Sequence, residues 1–398
     1  MAEGGLIIGL CFPQQQDALT SATVTFVEDF CEQGRNAIVV NLSEADGLTL
    51  LSRHLQSGAV DFCYGVQGIG SNLKVGDVNL WTASRTPFVG VHFDHPCHNP
   101  LNHFSESAFV GNLYYFDSFR AARQNYIGGP QLSGTIAPDF FKRMPGITPE
   151  TGADVAKRPI KFLYVKSGTD IRRVTDDVNN IHESVRDAIW QQIDYARQHP
   201  NIELCDLVAQ VFQDVGYDRT VYDRQFWGIV QIMDLYIRAR RSVDFVEWLK
   251  GQEGAVIVGD GWDFIDRTNA RAVFRPTLPI EEAYALFADT QFICNTNPHG
   301  ADIIHERVVK GLLNGCAVLT DTNSWWDARY SDLQALKRFD WSAGWQDRVQ
   351  AHINEAAFSP ELCRQALERA WRDFTSRKSY GAIAAFAQQV RQRAVSGT

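Results

Sequence analysis

The sequence predicts an α/β protein built from two doubly wound parallel-sheet domains in series, with a cleft between them. Three observations lead there. Apolar strand-length runs alternate with helical patterns over residues 1–110, as expected of a parallel sheet covered on both faces. The same alternation begins again at Ile160, after an irregular stretch. A chain of 398 residues is also too long for one small core.

The first domain is expected over 1–150. Its strands are Gly5 to Cys11, Ala37 to Leu42, Val60 to Val66 and Pro87 to Phe93. Helices lie between them at Ala18 to Gln33, where Phe26 and Phe30 are four apart, at Leu48 to Leu55 and at Asn79 to Ser84. Residues 115–150 are less regular, and Ile147-Thr148-Pro149-Glu150-Thr151-Gly152 reads as a linker. The second domain, 155–378, opens with the strand Ile160 to Val165. A helical insertion follows over 175–250, including Val185 to Gln198 and Phe226 to Lys250. Strands resume at Ala255 to Gly259 and Val273-Phe274, and Pro279 to Asp289 is helical with Ile280, Ala283, Tyr284 and Phe287 on one face. The tail from Pro360 to Ala394 has a continuous amphipathic pattern, and its last part, 379–398, is expected to pack back on the first domain.

Bulk properties narrow the function. The formal charge of −9 argues against a nucleic-acid surface, which is normally basic. No apolar run reaches the 18 residues a spanning helix needs. The N-terminus lacks the basic region of a signal peptide. Eight scattered cysteines without a CxxC pair fit reduced thiols in the cytoplasm. These features leave room for peripheral membrane contact through a surface patch.

The stretch from Gln291 to Asp321, QFICNTNPHGADIIHERVVKGLLNGCAVLTD, carries the chemistry. An apolar run, Phe292 to Cys294, stops at Asn295. Asn297-Pro298-His299-Gly300 is a loop. Ile304, Val308 and Leu312 then share a helix face, Gly315 closes the helix, and Ala317 to Leu319 begin a buried strand. His305-Glu306-Arg307 therefore fall in the first turns of a helix after the carboxyl end of a strand. Open α/β sheets place ligands there, and unpaired helix amides attract phosphate. The plainer alternative makes Asp302 a helix cap and Glu306–Lys310 a surface pair.

Residues 275–321 resemble the donor-binding half of GT-B glycosyltransferases. The similarity is closest to the "glycosyl transferases group 1" set that includes CgeB-like proteins. The shared features are the His-Glu-Arg triplet, the Gly-Cys-Ala-Val-Leu-Thr-Asp ending and the Gly259-Asp260-Gly261-Trp262 turn. The resemblance implies two Rossmann-like domains facing a central cleft. It implies a metal-independent enzyme that moves a sugar from a nucleotide-sugar donor to a hydroxyl acceptor (glycan, lipid-linked carrier or protein) and releases a nucleotide diphosphate. No cofactor is implied.

On that basis Lys166, Arg172, Asp260, Gly261, Asn297, Gly300, Asp302, His305 and Arg307 are the expected donor-binding residues. The helix amides near Ala301 to Ile304 would hold the diphosphate, Arg307 would add a bidentate contact, and Glu306 would take a diol. Lys166 would neutralise the departing diphosphate. The wider retaining group carries two glutamates eight apart on this helix. Aligned on Gly315, those positions are Asp302 and Lys310, so Glu306 is expected to replace the second.

In the first domain, His92-Phe93-Asp94-His95-Pro96-Cys97-His98 follows a strand. Asp94 or His95 is the expected general base. Catalytic roles thus go to Asp94, His95 and Glu306. Three rival readings are a GT-B nucleotide-sugar epimerase, a non-catalytic GT-like binding subunit and a zinc hydrolase using the His cluster. Paired Trp325 and Trp326 would either stack on a sugar or pack. The Tyr64 to Ser71 loop lacks both the dinucleotide and the P-loop spacing.

Overall fold

The computed structural model describes residues 5–12, 18–139, 155–355 and 360–396. The linker expected at 147–152 lies outside the described residues. Contacts divide the chain into two units, Met1–Phe140 with Arg377–Thr398, and Phe141–Ser376. Each holds one six-stranded parallel sheet.

The first unit begins with β1 (Leu6–Cys11), α1 (Ala18–Glu32), β2 (Ala37–Asn41), α2 (Gly47–Gln56) and β3 (Val60–Val66). A small hairpin, β4 (Lys74–Val75) and β5 (Val78–Asn79), leads into α3 (Leu80–Ser84). Then come β6 (Phe88–His92), β7 (Val110–Tyr114), α4 (Asp117–Ala122) and β8 (Leu132–Thr135). Strand order is β2-β1-β3-β6-β7-β8, so the direction of winding reverses between β1 and β3. Every residue of β1, LIIGLC, is buried, because helices cover both faces of a doubly wound sheet. On one face Leu51, Leu55, Trp81 and Phe88 pack with Ile8 and Leu10. On the other, Phe26 and Phe30 of α1 each meet Tyr380 edge-to-face at 5.5 Å. The Tyr64 hydroxyl donates to the Thr23 carbonyl at 2.8 Å and pins α1 to β3.

The second unit opens with β9 (Ile160–Val165). Four helices follow: α5 (Ile171–Asn179), α6 (Glu183–Gln198), α7 (Leu204–Asp214) and α8 (Asp223–Leu249). They replace the single crossover helix of a simple βαβ unit, as the helical insertion required. Next come β10 (Ala255–Val258), β11 (Val273–Arg275), α9 (Ile280–Ala285), β12 (Thr290–Asn295), α10 (Glu306–Leu313) and β13 (Ala317–Asp321). The unit closes with α11 (Ser324–Tyr330), β14 (Leu336–Phe339), α12 (Trp345–Glu355) and α13 (Pro360–Phe374). Strand order β11-β10-β9-β12-β13-β14 reverses between β9 and β12. Phe245, Val246 and Leu249 of α8 pack over Phe162, Tyr164, Ile257 and Phe292 of the sheet.

Several elements differ from the sequence reading, β7, α4 and β14 among them, and two show the cause. Residues 132–135 form an edge strand inside the stretch read as irregular, because Leu-Ser-Gly-Thr carries no apolar run and only backbone pairing with β7 defines it. The tail is two helices, α13 and α14 (Lys378–Ser396), where one amphipathic pattern was expected. The break falls at Arg377, which adopts φ 56°. Asp139 fixes it: its carbonyl accepts the Arg377 N–H at 3.0 Å, and its carboxylate accepts the N–H groups of Lys378 at 2.8 Å and Ser379 at 3.1 Å. A distant aspartate thus caps α14, a signal that pattern along the chain cannot carry.

Helix α14 lies on the sheet of the first unit, against Gly111 of β7. A Cβ added there would sit 2.5 Å from Val390 Cγ2 and 2.7 Å from Phe386 Cε1. Gly111→Ala is therefore expected to cost about 1–3 kcal/mol by overpacking, read as a lower urea midpoint at unchanged slope. An unaltered midpoint would disprove this seating of α14.

Candidate active site

The reversal between β9 and β12 puts the loops after these strands side by side at the carboxyl edge of the second sheet, the usual ligand position in such folds. Lys166 follows β9, Thr296 follows β12, and the loop 296–305 leads into α10. Here one expectation needs correction. The helix begins at Glu306, with His305 extended (φ −73°, ψ 135°) and its Nδ1 accepting the Arg307 N–H at 3.2 Å. Asp302 is not the cap: residues 301–302 are a turn and 303–305 are irregular, ahead of the first helical residue. The reason is lateral bonding. The Ala301 carbonyl accepts from Ser324 Oγ at 2.5 Å and Trp325 N–H at 3.3 Å, and the Ile303 carbonyl accepts from Asn323 Nδ2 at 2.7 Å. Carbonyls held this way are drawn toward the 323–325 segment instead of an i+4 amide.

The structure brings Lys166, His305 and Arg307 together. Arg307 is 7% exposed. Its Nη1 donates to the Val165 carbonyl at 2.5 Å, tying α10 to the end of β9. Its Nε and Nη2 reach the His305 ring nitrogens at 3.4 and 2.8 Å. Burial, then the Arg307 charge, then Lys166 hold the His305 imidazole well below its ordinary value, so the ring is neutral. A neutral imidazole accepts at one nitrogen only, so its contacts cannot satisfy every Arg307 donor. Burial, followed by Arg307 and Arg238, likewise pushes Lys166 well down. Its Nζ reaches Thr296 Oγ1 at 3.3 Å, and Thr296 in turn meets the Tyr164 hydroxyl at 2.8 Å. Burial is the first cause for all three groups, and neighbouring cations add to it only at Lys166 and His305.

Asn297 has a different job from the one expected. Its N–H donates to Asp321 Oδ1 at 2.7 Å, and its Nδ2 to the Asp321 carbonyl at 2.8 Å and Thr320 Oγ1 at 3.2 Å. Asn295 Nδ2 joins the same buried lattice through Asn297 Oδ1 at 2.9 Å. This side chain holds the loop in place. His299, whose Nε2 lies 2.7 Å from the Ile202 carbonyl, fastens the loop on its other side. Gly300 has φ 150°, a turn conformation that side chains rarely adopt.

The remaining expected donor residues fall in three places. Asp260 and Gly261 close on the Lys166 loop: the Asp260 carbonyl accepts the Gly168 N–H at 2.8 Å, and a Cβ on Gly168 would lie 2.4 Å from the Gly261 carbonyl. Trp262, 1% exposed, is core and donates to the Lys166 carbonyl at 2.8 Å. Glu306 lies 3.6 Å from Lys310, whose Nζ sits 3.2 Å above the Tyr284 ring. Arg172 is spent on Asp170 at 2.7 Å, with 76% of its side chain exposed. Trp326 is buried beside Tyr330 and Phe374, which is packing.

Sequence reading missed Asp234, Arg238 and Arg241, which line the inner face of α8. Asp234 is 1% exposed and pairs with Arg238 at 2.6 Å. Charged residues recurring at i, i+4 and i+7 among apolar neighbours were the available signal.

In the first unit, Asp94 is exposed and accepts Gln67 Nε2 at 2.7 Å. His95 is buried, and its Nδ1 accepts the Cys97 N–H at 3.2 Å. His92 and His103 are stacked at 4.0 Å. His92 Nε2 meets Asn112 Oδ1 at 2.9 Å, and His103 Nδ1 meets the Tyr114 hydroxyl at 2.8 Å. These two rings hold loop to strand rather than converging on a metal.

With this geometry in hand, similarity to solved structures defines the fold. T4 phage BGT in complex with its UDP-glucose substrate matches with TM-score 0.52 at 10% identity, over 97% of each chain. Sucrose-phosphate synthase from Thermosynechococcus elongatus matches with TM-score 0.52 at 9% identity, over 99% of this chain and 100% of the other. The fold is that of the GT-B glycosyltransferases: α/β, with two Rossmann-like sheets. No protein-family model matches the sequence, and no curated protein is similar to it in sequence. Among the described residues no helix is long and apolar enough to cross a membrane.

His92 gives a pH signature. Burial pushes it from 6.5 down to about 4. Between these values the unfolded chain binds the proton and the native state does not, so stability falls as pH falls. The slope is about 1.4 kcal/mol per pH unit from this group. The stability gap between wild type and His92→Asn should narrow accordingly between pH 6.5 and 4 in urea titrations. A gap constant with pH would show that His92 is not held neutral.

Proposed function

We propose that this protein is a metal-independent glycosyltransferase of the "glycosyl transferases group 1" kind, acting in the cytoplasm. It transfers a sugar from a nucleotide-sugar donor to a hydroxyl of a glycan, lipid-linked carrier or protein. The observation that carries this reading is the cluster of buried Arg307 with half-buried Lys166 and His305 at the strand-order reversal beside the start of α10. A diphosphate is the anion that matches it, and T4 phage BGT, of the same fold, was solved with UDP-glucose.

The geometry divides the work. The N–H groups at the start of α10 and the Lys166 ammonium face the diphosphate. Arg307, with Nη1 held by the Val165 carbonyl, contributes mainly charge rather than the bidentate fork expected from the sequence. His305 meets the Arg307 backbone N–H with Nδ1 and lies 2.8 Å from Arg307 Nη2 with Nε2, and so positions that guanidinium beside the diphosphate. Asp302 and Gly300 flank the sugar, while Asp260 and Gly261 shape the neighbouring wall. Glu306, set between Lys310 and Tyr284, takes a ribose diol. As the glycosidic bond to phosphate breaks, charge grows on the leaving diphosphate, and the fixed cations lower the barrier. Asp94 is the general base for the acceptor. His95 is less suited, because with Nδ1 accepting from Cys97 its other nitrogen bears hydrogen.

Two measurements test this. Calorimetry with UDP, GDP and ADP should show one tight binder, weakened about tenfold or more by Lys166→Ala or Arg307→Ala. Binding of none of the three, or binding indifferent to both substitutions, would discard the site. Separately, Asp94→Asn should cut kcat by about 10²–10⁴ with donor KM unchanged. Full turnover in that variant would remove Asp94 as base.

A further inference from the structure

Helices α6 and α8 and the loop after β14 enclose a second cavity in this unit, of about 290 Å³. It shares no residue with the Lys166–His305–Arg307 cluster. Asp194, Gln198, Arg241, Asp244, Trp341 and Trp345 line it, with Arg197 at its rim. The volume is near the lower end of small-molecule sites, ~300 Å³.

Three observations show that this is more than a packing gap. Arg241 is 2% exposed, yet its Nε has no hydrogen-bond partner. Its Nη2 reaches only the Arg197 carbonyl at 3.4 Å, and its Nη1 stands 4.0 Å from Asp321. A buried guanidinium with so few partners is costly, and it makes the Arg241 wall of the cavity strongly polar. Second, the Trp341 indole is held rigidly, its Nε1 donating to Asp321 Oδ2 at 2.8 Å and its ring 5.0 Å from Trp345. The ring body remains half-buried at the cavity wall. Third, the charges balance. Arg197 lies 3.6 Å from both Asp194 and Asp244, so two carboxylates offset two guanidiniums.

We propose that this cavity binds a neutral saccharide. Aromatic surface suits the apolar face of a sugar ring. A side-by-side set of carboxylate acceptors, guanidinium donors and the Gln198 amide suits hydroxyls, which donate and accept at once. A polyanion would meet two carboxylates, and an apolar ligand would strand Arg241. The site therefore takes part of a glycan. It is linked to the donor loop, since Asp321 touches both Trp341 and the Asn297 N–H. The inference stands on the cavity and not on the donor-site reading.

The test uses the full-length protein, titrated with glucose, maltose, cellobiose and lactose, and followed by tryptophan fluorescence and saturation-transfer NMR. At least one sugar should give a saturable response. Asp194→Ala with Gln198→Ala, both on the exposed rim, should weaken it at least tenfold, and Trp341→Phe should reduce the fluorescence change. UDP binding should stay within twofold of wild type in the rim variant. No saturable response to any of the four sugars would overturn the proposal. So would an undiminished response in the rim variant, or displacement by inorganic pyrophosphate. Binding of none of UDP, GDP and ADP by the wild type, alongside an intact sugar response, would instead count against the donor site alone.

Discussion

The second unit depends on one buried carboxylate. Asp321 ends β13, is 2% exposed, and receives the Asn297 N–H on one oxygen and the Trp341 indole N–H on the other. Burial raises its carboxyl, while the Arg241 charge and these hydrogen bonds oppose the rise. A charge in that position is tolerated only because donors surround it. In return it fixes three things at once: where the 296–305 loop leaves β12, where the chain turns after β14, and how α8 seats over the sheet edge. Remove the carboxylate and each of these loses its reference point.

From that anchor the cation cluster follows. The loop is held by Asn297 on one side and by the His299–Ile202 contact on the other. Its end is held by the 323–325 segment, so α10 can start only at Glu306. This places Arg307 over the end of β9, where the Val165 carbonyl takes its Nη1, and places His305 against it. Lys166 is set by the backbone contacts of Gly168 with Gly261 and by the Trp262 indole on its carbonyl. Among the described residues neither Lys166 nor Arg307 forms a salt bridge, although the charges of Asp321, Asp234 and Glu306 act on them from farther away.

Much of the scaffold was legible in the chain. Strands such as LIIGLC and TQFICN read plainly because parallel sheets bury both faces and leave near-continuous apolar runs. The His-Glu-Arg triplet was legible as chemistry because three ionisable groups follow a strand and a loop. Less legible were elements whose stability comes from partners far along the chain. The edge strand at 132–135 and the cap of α14 by Asp139 are of this kind. So are the bonds that Asn297, expected at the donor from the family resemblance, makes to Asp321. Arg238 and Arg241 were hidden for another reason: charged residues on a long helix are usually solvated, and only packing shows that these are not.

The sequence by itself determined the two parallel sheets, the helical insertion between β9 and β10, and the position of the triplet after β12. These follow from periodicity and turn residues, which act over a few neighbours. Tertiary structure decided the rest. It set which ionisable groups lose water, which of them face each other, and which spend their hydrogen bonds on the scaffold. Lys166 and Arg307 are more than 100 residues apart in the chain and meet only because the strand order reverses between β9 and β12. Desolvation and charge coupling depend on distance in space, and no local pattern encodes that distance.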